Sequence, residues 1–200
     1  MTASPSDRTL ARRQQVLEAA AECFRRRGFH AASMAEIAKT AGMSPGHIYN
    51  LFENKDDVIA AIVERDCEEV LDRIAEFKQE GDLLQKMLAA TEQAIDEHSH
   101  VAKSALQLEV LAEASRNPKL AAVVHRSEAL VTQKAQELIR LSLGARADAL
   151  PPDEIQGRAL MLGALFNGLT VLSVRRPDMA ALSTQMAPVM RRILNVILAD

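Results

Sequence analysis

The stretch SMAEIAKTAGMSPGHIYNLFENK, which runs from Ser33 to Lys55, carries the signals of two short helices joined by a tight turn. Ser33 and Glu36 have the S-x-x-E spacing of a capping box, in which both side chains satisfy N–H groups of the first helical turn. Four apolar residues recur at i, i+3, i+4 and i+7, the spacing of one helical stripe: Met34, Ile37, Ala38 and Ala41. A first short helix is therefore predicted to begin at Met34.

A second short helix is predicted after a glycine turn. Gly42 is expected to end the first helix, because glycine reaches positive φ without a Cβ penalty. Ser44 and Pro45 have the properties of an N-cap and a first helical residue, which predicts a helix from about Pro45 to Phe52. Helices this short are stable only when packed on each other and on something larger, so Ile48 is expected to point into their crossing.

The outer surface of the second helix is then formed by Gly46, His47, Tyr49 and Asn50. A helix-turn-helix presents this surface to the major groove of DNA. The alternative is an ordinary helical hairpin within a bundle, in which the small-glycine-apolar spacing would be accidental. The residue pattern favours the DNA-binding interpretation.

Composition and charge agree with a helical protein that contacts phosphates. Aromatic residues make up only 3% of the chain and no strand pattern is evident, which favours an all-α fold. The net charge is −3, but residues 1–55 contain eight Lys and Arg against five Asp and Glu, whereas residues 56–200 contain 16 against 22. A basic end on an acidic chain can present a local positive surface to nucleic acid.

The remaining signals favour a cytoplasmic protein without a membrane segment. Residues 1–7 lack the apolar core of a signal peptide and are predicted to form a mobile arm. The apolar stretch from Ala159 to Val174 is shorter than the ~20 residues of a membrane span and is predicted to be a buried helix. Cys23 and Cys67 have no motif spacing and indicate reduced thiols, with a redox-sensing role as the alternative.

Hydrophobic periodicity and helix-end signals predict about nine helices for the whole chain. Their approximate bounds are 8–27, 34–41, 45–52, 55–78, 83–97, 101–115, 118–142, 153–175 and 179–198. The first three would form a helix-turn-helix DNA-binding domain over residues 1–54. Residues 55–200 would form a helical-bundle body, and the long helix that begins at Lys55 would connect the two.

The last two predicted helices, 153–175 and 179–198, carry a pattern suited to pairing of two copies. The final helix has apolar residues at alternating three- and four-residue steps, and a second apolar edge widens this seam. The preceding helix contains Gly157, Gly163 and Gly168, which allow a partner backbone to come close. A homodimer through these helices and a single monomeric core explain the pattern equally well.

The first third of the chain resembles the tetracycline-repressor (TetR) family of bacterial transcriptional regulators. The resemblance covers about residues 8–58, and beyond them only the helix count and the long final helix pair are similar. It is carried by Gly28-Phe29, Ser33-Met34, Ile37-Ala38, Ala41-Gly42, Ser44-Pro45-Gly46, Ile48-Tyr49, Phe52 and Lys55. The resemblance implies an all-α homodimer that binds a near-palindromic operator as a repressor and is released by a small molecule. The alternative is a DNA-binding dimer whose body contacts proteins and takes no effector.

The resemblance also implies roles for single residues. Ser33, Tyr49 and Lys55 stand where the family contacts phosphates. Pro45 and Gly46 stand where the backbone approaches the duplex.

His47 and Asn50 stand where the family reads base edges, and an Asn amide can pair with adenine. Ser44, which begins the recognition helix, completes the predicted interface. The family commonly has Thr or a small residue at position 47 and Tyr or His at positions 50 and 51, where this chain has His47, Asn50 and Leu51. The operator sequence therefore does not follow from the resemblance.

Little in the sequence favours an enzyme, and neither a cofactor nor a metal site is predicted. His98 and His100 are two residues apart and lack the i, i+4 spacing of a metal pair on a helix, and no phosphate loop or nucleophile motif is present. Glu109 and Glu113 share a helix face, where surface or capping roles are expected. Six residues are predicted to line an effector pocket, with ordinary core packing as the alternative for each: Met87, Leu106, Glu109, Met161, Phe166 and Asn167.

Overall fold

A computed structural model describes residues 5–78, 82–176 and 178–199 of the chain. Within these ranges the protein consists of α-helices joined by short turns, with no strand, which confirms the predicted all-α class. The helices are α1 Pro5–Ala31, α2 Met34–Thr40, α3 Pro45–Tyr49, α4 Lys55–Phe77, α5 Leu83–Ala89, α6 Thr91–His98, α7 Val101–Ala114, α8 Pro118–Leu143, α9 Pro152–Arg175 and α10 Ser183–Ala199. Two short 3₁₀ helices, Gly144–Ala149 and Met179–Leu182, precede α9 and α10.

The described ranges hold ten α-helices rather than nine, because the helix predicted over residues 83–97 is divided at Ala90. The Thr91 hydroxyl donates to the Met87 carbonyl at 3.3 Å. A threonine hydroxyl competes in this way for a carbonyl that the backbone ladder of a continuous helix would use. Thr170 makes the same type of bond to Phe166 inside the unbroken α9, so the bond weakens the helix without being enough to end it. The break lies at Ala90, where ψ is −3° instead of the helical value of about −42°.

Three predicted helix starts are confirmed by side-chain caps. The Oδ1 atom of Asn54 accepts from the backbone N–H of Asp57 at 2.9 Å, at the start of α4. Oδ1 of Asp82 and Oδ1 of Asn117 make the corresponding bonds at the starts of α5 and α8. Each cap satisfies an N–H group that the first turn of a helix leaves without an intrahelical partner.

The N-terminal prediction is partly wrong. Residues 5–7, predicted to belong to a mobile arm, lie in α1. Residues 1–4 of the predicted arm lie outside the described residues.

By internal packing the chain divides into two compact units. The head unit contains Met1–Asp66 and Leu106–His125, and the body unit contains Cys67–Ala105 and Arg126–Asp200. The head unit thus includes the start of α4 and a segment of α7 and α8 in addition to the predicted domain 1–54. The functional boundary at residue 54 stays a prediction.

Each unit has its own hydrophobic core. In the head unit, residues of α1 pack with residues of α2, α3 and α4, and Leu106, Val110 and Leu120 complete this core. In the body unit, α10 packs on α5, α6 and α9, and its buried residues include Leu194 and Leu198. Burial of these side chains is the main driving force for folding of each unit.

The prediction that α9 is a buried helix is wrong. By length and composition it could cross a membrane, and only 28% of its most apolar 18-residue window is buried. Leu160 and Met161 are 51% and 62% exposed. The apolar stretch predicted a buried helix because the sequence alone does not show that only one side of α9 packs within its own chain.

Candidate nucleic-acid interface

The first helix of the predicted helix-turn-helix begins at a half-formed capping box. Ser33 Oγ accepts from the Glu36 N–H at 3.2 Å, as predicted. The Glu36 carboxylate instead pairs with Arg27, with 2.9 Å between Arg27 Nε and Glu36 Oε1. The serine half of the motif therefore fixes the start of α2, and the glutamate ties α2 to the end of α1.

The turn and the second helix are built as the sequence predicts, although the helix is shorter. Gly42 has φ +63°, and Ser44 Oγ accepts from the His47 N–H at 3.3 Å. α3 ends at Tyr49 rather than near Phe52, with Asn50 as its C-cap residue. The predicted recognition helix is therefore a little over one turn long.

Burial separates the inner and outer sides of α3. Ile48 is completely buried, whereas Tyr49 is 53% exposed. Seven of the eight residues predicted to contact DNA are exposed: Ser33, Ser44, Pro45, Gly46, His47, Tyr49 and Asn50. The structure thus brings the residues of α3 and its N-cap together on one short exposed segment.

Side chains of α1 hold the C-terminal ends of both short helices. Arg13 Nη1 donates to the Leu51 carbonyl at 3.0 Å, and its guanidinium lies 4.3 Å from the centre of the Phe52 ring. Gln15 Nε2 donates to the Ala41 carbonyl at 2.7 Å. These contacts satisfy carbonyls that the last turn of a helix leaves unpaired. Sequence reasoning missed them, because polar residues on α1 carry no signal that separates a cap from a solvated side chain.

Lys55 is the eighth predicted DNA-binding residue, and it has an additional structural role. Its Nζ donates to the carbonyls of Phe29, His30 and Ala32 at 2.5, 3.1 and 3.0 Å. It also lies 4.4 Å from the centre of the Phe29 ring. An ammonium group has three protons, so these carbonyls engage its full donor capacity. The phosphate contact of Lys55 stays a prediction.

The six predicted pocket residues are divided between the two units. Met87 and Phe166 are partly buried against the body core, as predicted for inward-facing residues. Met161 and Asn167 are exposed, so their predicted inward orientation is wrong.

The other two predicted pocket residues belong to the head unit. Leu106 is buried in the head core, in agreement with ordinary core packing, which was the alternative to a pocket position. Glu109 Oε1 accepts a hydrogen bond from the Phe29 N–H at 2.6 Å. This carboxylate therefore caps backbone of the head.

α1, α2 and α3 pack together, α2 and α3 begin at serine N-caps, and a glycine turn joins these two short helices. Together with the exposed outer side of α3, this arrangement defines a helix-turn-helix DNA-binding protein. Comparison with known proteins agrees. Residues 16–62 match the model of bacterial regulatory proteins of the tetR family, and residues 81–199 match the C-terminal region of BetI-type transcriptional repressors. The chain belongs to the TetR family of transcriptional regulators, which are regulators and not enzymes.

The chain is also similar to single proteins, in sequence or in fold. The chain is 33% identical over 128 residues to the HTH-type transcriptional regulator UidR of Escherichia coli K12, a match that spans 64% of each chain. The structure of Salmonella enterica GusR superposes with a TM-score of 0.78 at 28% identity, covering 94% of this chain and 96% of GusR. FadR of Bacillus subtilis, solved in complex with stearoyl-CoA, gives a TM-score of 0.71 at 18% identity, covering 92% and 97%.

Proposed function

We propose that this chain is a cytoplasmic repressor that binds a near-palindromic operator as a homodimer and is released by a small molecule. The observation that carries the proposal is the exposed segment of α3 and its N-cap, whose side chains suit DNA rather than a protein core. Asn50 would read an adenine through its amide, and His47 would contact a neighbouring base edge. Ser33 and Tyr49 would bind phosphates and fix the register of the head on the duplex.

The homodimer is supported by an apolar surface on α9 and α10, which we call the α9–α10 face. Its exposed large apolar residues are Leu160, Met161, Val171, Val174, Val189, Ile193 and Val196. An apolar groove of about 320 Å³ lies between the two helices, between Leu165 on α9 and Ile193 on α10. Exposed apolar side chains and an apolar groove on two neighbouring helices favour an interaction site, and pairing with the same helices of a second copy would bury them in a symmetric interface.

Dimerisation would give the head its operator geometry. Two heads contact successive major grooves on one side of the duplex when they lie about one helical turn apart, ~34 Å. A small molecule can change operator affinity only if it binds the two head spacings with different affinity. Met87 and Phe166, the two predicted pocket residues that lie partly buried in the body unit, stay candidates for contacting it.

A gel-shift titration with the DNA upstream of the chain's own gene tests operator binding. We expect a sequence-selective complex whose affinity falls steeply with salt, since phosphate contacts release counterions. Asn50→Ala should relax the preference at one base position at a cost of about 1–3 kcal/mol. A complex with equal affinity for unrelated duplexes would contradict the proposal.

Sedimentation of the wild type and of Ile193→Asp tests the dimer. Ile193 is 41% exposed on the α9–α10 face, so a carboxylate there should prevent pairing while the monomer stays folded. Arg126→Asp, on α8 and exposed, is the matched control and should leave the dimer intact. A wild-type chain that sediments as a monomer at micromolar concentration would overturn this part of the proposal.

Thermal unfolding with added stearoyl-CoA is a first test of the effector, because FadR of B. subtilis was solved with that ligand. A ligand that prefers the folded state raises the melting temperature by mass action. A compound that raises the melting temperature and also weakens the operator complex would support a small-molecule effector. If stearoyl-CoA and a panel of smaller apolar and cationic compounds all leave the melting temperature unchanged, the result favours the alternative hypothesis that the body contacts proteins and binds no effector.

A further inference from the structure

Four residues in the part of α7 that belongs to the head unit have side chains on the same side of the helix: Leu106, Glu109, Val110 and Glu113. Their spacing of i, i+3, i+4 and i+7 places them on one side of the helix. Leu106 and Val110 are 5% and 7% exposed and belong to the head core. The two carboxylates therefore lie beside a packed apolar contact and have a fixed position relative to the head.

Glu109 binds the point at which α1 breaks. Gly28 has φ +77° and ψ 162°, so the Phe29 N–H leaves the helical hydrogen-bond ladder and needs another acceptor. Glu109 Oε1 supplies it at 2.6 Å. A Cβ atom on Gly28 would lie 3.2 Å from this same oxygen. The close approach of Glu109 and the conformation of Gly28 therefore depend on each other.

Glu113 binds the next turn of the same segment. Its side chain is only 5% exposed, and its Oε2 lies 3.0 Å from His30 Nε2 and 2.9 Å from Arg116 Nε. A buried carboxylate is costly unless hydrogen-bonded groups replace its water. His30 and Arg116 are the groups that do so, which ties the position of α7 to the backbone just after Gly28.

Residues 28–32, which we call the α1–α2 turn, are held from two sides. α7 contacts the Phe29 N–H and the His30 ring, while Lys55 at the start of α4 binds the carbonyls of Phe29, His30 and Ala32. Ser33, the N-cap of α2, follows directly in the chain. A displacement of α7 would therefore be transmitted to the residues that fix the starts of both α2 and α4.

α7 is one continuous helix that begins in the body unit, with residues 101–105, and continues in the head unit from Leu106. We propose that Glu109 and Glu113 are positioning residues that couple the state of the body to operator binding through the α1–α2 turn. This inference rests on the proposed regulatory function. It goes beyond that function by naming the two side chains that carry the coupling.

The test is hydrogen exchange of the full chain with and without an operator duplex taken from its own upstream DNA. Coupling between two sites is reciprocal, so operator binding at the head must change exchange in the body. We expect the duplex to change exchange rates within residues 82–105 of the wild type by about 5- to 150-fold, the usual range of such coupling. Glu109→Ala should reduce this change to less than about twofold while the operator still binds.

Three further variants make the result specific. Glu109→Gln keeps an oxygen that can accept from Phe29, so it should restore most of the wild-type change. His30→Ala removes an exposed partner of Glu113 without opening the core, and it should also weaken the coupling. It therefore replaces Glu109→Ala in the test if that variant does not fold. Leu111→Gln alters a 51% exposed residue of α7 between the two carboxylates and should behave as the wild type.

The outcomes distinguish a coupling role of the two carboxylates from a purely structural role. If Glu109→Ala lowers stability or affinity but the body still responds to bound operator as in the wild type, the carboxylates are only structural and the inference is overturned. The same follows if the wild type binds operator with no change in the body. If the wild type shows no selective DNA binding, the proposed function itself fails, and this is seen in the binding assay before any exchange measurement.

Discussion

The head and body units hold their helices together in different ways. The head contains helices of seven and five residues, and side chains of α1 bind their ends: Arg13 and Gln15 hold the carbonyls that follow α3 and α2. Lys55 holds two carbonyls in the last turn of α1 and the Ala32 carbonyl just after it. Helices this short are unstable alone. The conformation of the head therefore depends on a small number of specific polar contacts around a buried core.

The body includes the 24-residue α9, and several of its buried hydroxyls bond to backbone carbonyls within six residues along the chain. Ser99 and Ser173 are examples, donating to the carbonyls of Ile95 and Thr170 at 2.7 and 2.8 Å. Body helices share an apolar core, and fewer polar contacts reach their ends, such as those from Arg158 of α9 to the Val196 and Ile197 carbonyls of α10. The large apolar residues of the α9–α10 face are exposed. Substitutions in the head should therefore act on its own unfolding, whereas those on the α9–α10 face should act on association.

The largest effect is expected for the core of the head. Ile48→Ala removes a completely buried side chain from the crossing of α2 and α3, which should destabilise the protein by about 2–5 kcal/mol. Urea unfolding followed by circular dichroism measures this loss. The neighbouring Tyr49→Ala, on the exposed side of α3, should leave stability within about 0.5 kcal/mol and weaken DNA binding instead. Equal destabilisation by both variants would contradict the assignment of an inner and an outer side.

Replacing Lys55 should give the next largest effect. Lys55→Met leaves three carbonyls of the α1–α2 turn without their charged donor, for a loss of about 1.5–3 kcal/mol. Lys39→Met, an exposed lysine on α2, is the matched control. If Lys55 also binds a phosphate, the slope of log affinity against log salt should decrease by about one unit relative to this control. Unchanged stability of Lys55→Met would show that the three contacts contribute nothing.

Two glycines in the head separate backbone strain from side-chain crowding. Gly42→Ala places an alanine at φ +63°, with an expected cost of about 1–2 kcal/mol. Gly28 combines φ +77° with ψ 162°, a region that only glycine readily adopts, so the backbone strain of Gly28→Ala should be larger, about 1–3 kcal/mol. Only Gly28 would bring its Cβ within 3.2 Å of Glu109 Oε1, so Gly28→Ala should be the more damaging. On a Glu109→Ala background the part of this difference that arises from crowding by Glu109 should be lost, while the part that arises from backbone strain should remain. A difference of unchanged size in the double variant would exclude a contribution from the Glu109 contact.

The parts of the head that were predicted correctly are those controlled by local chemistry. Ser33, Gly42 and Ser44 act within three residues of their own position, so their caps and turn are visible in the sequence. Glu109 and Lys55 act across 80 and 26 residues, respectively, and no periodicity indicates such partners. The carboxylate of Glu109 was therefore expected at a pocket or surface, and the ammonium of Lys55 only at a phosphate.

The body was less predictable for a related reason. An apolar pattern shows that a side chain leaves water, but not whether its own chain or a second copy covers it. Met161 and Leu106 have equally apolar side chains, yet one is 62% and the other 5% exposed. Pocket residues inferred from apolar positions on a helix therefore include exposed residues and core residues alike.

The smallest effect concerns acid sensitivity, which should appear in the body at His98. Burial lowers the pKa of His98 below its ordinary value of 6.5, and the ring packs on Phe166 with 5.1 Å between ring centres. The unfolded chain then binds more protons than the folded chain, so this group's contribution to stability is present above about pH 6.5 and is lost as the pH falls through the lower folded value. His98→Phe should lessen the loss of body stability between pH 7.5 and about 5.5, by less than about 1.4 kcal/mol for each pKa unit of the shift. Hydrogen exchange of residues 91–105 at the two pH values measures it, with the exposed His100→Phe as control, and an identical pH dependence in wild type and His98→Phe would show that the body's acid response arises elsewhere.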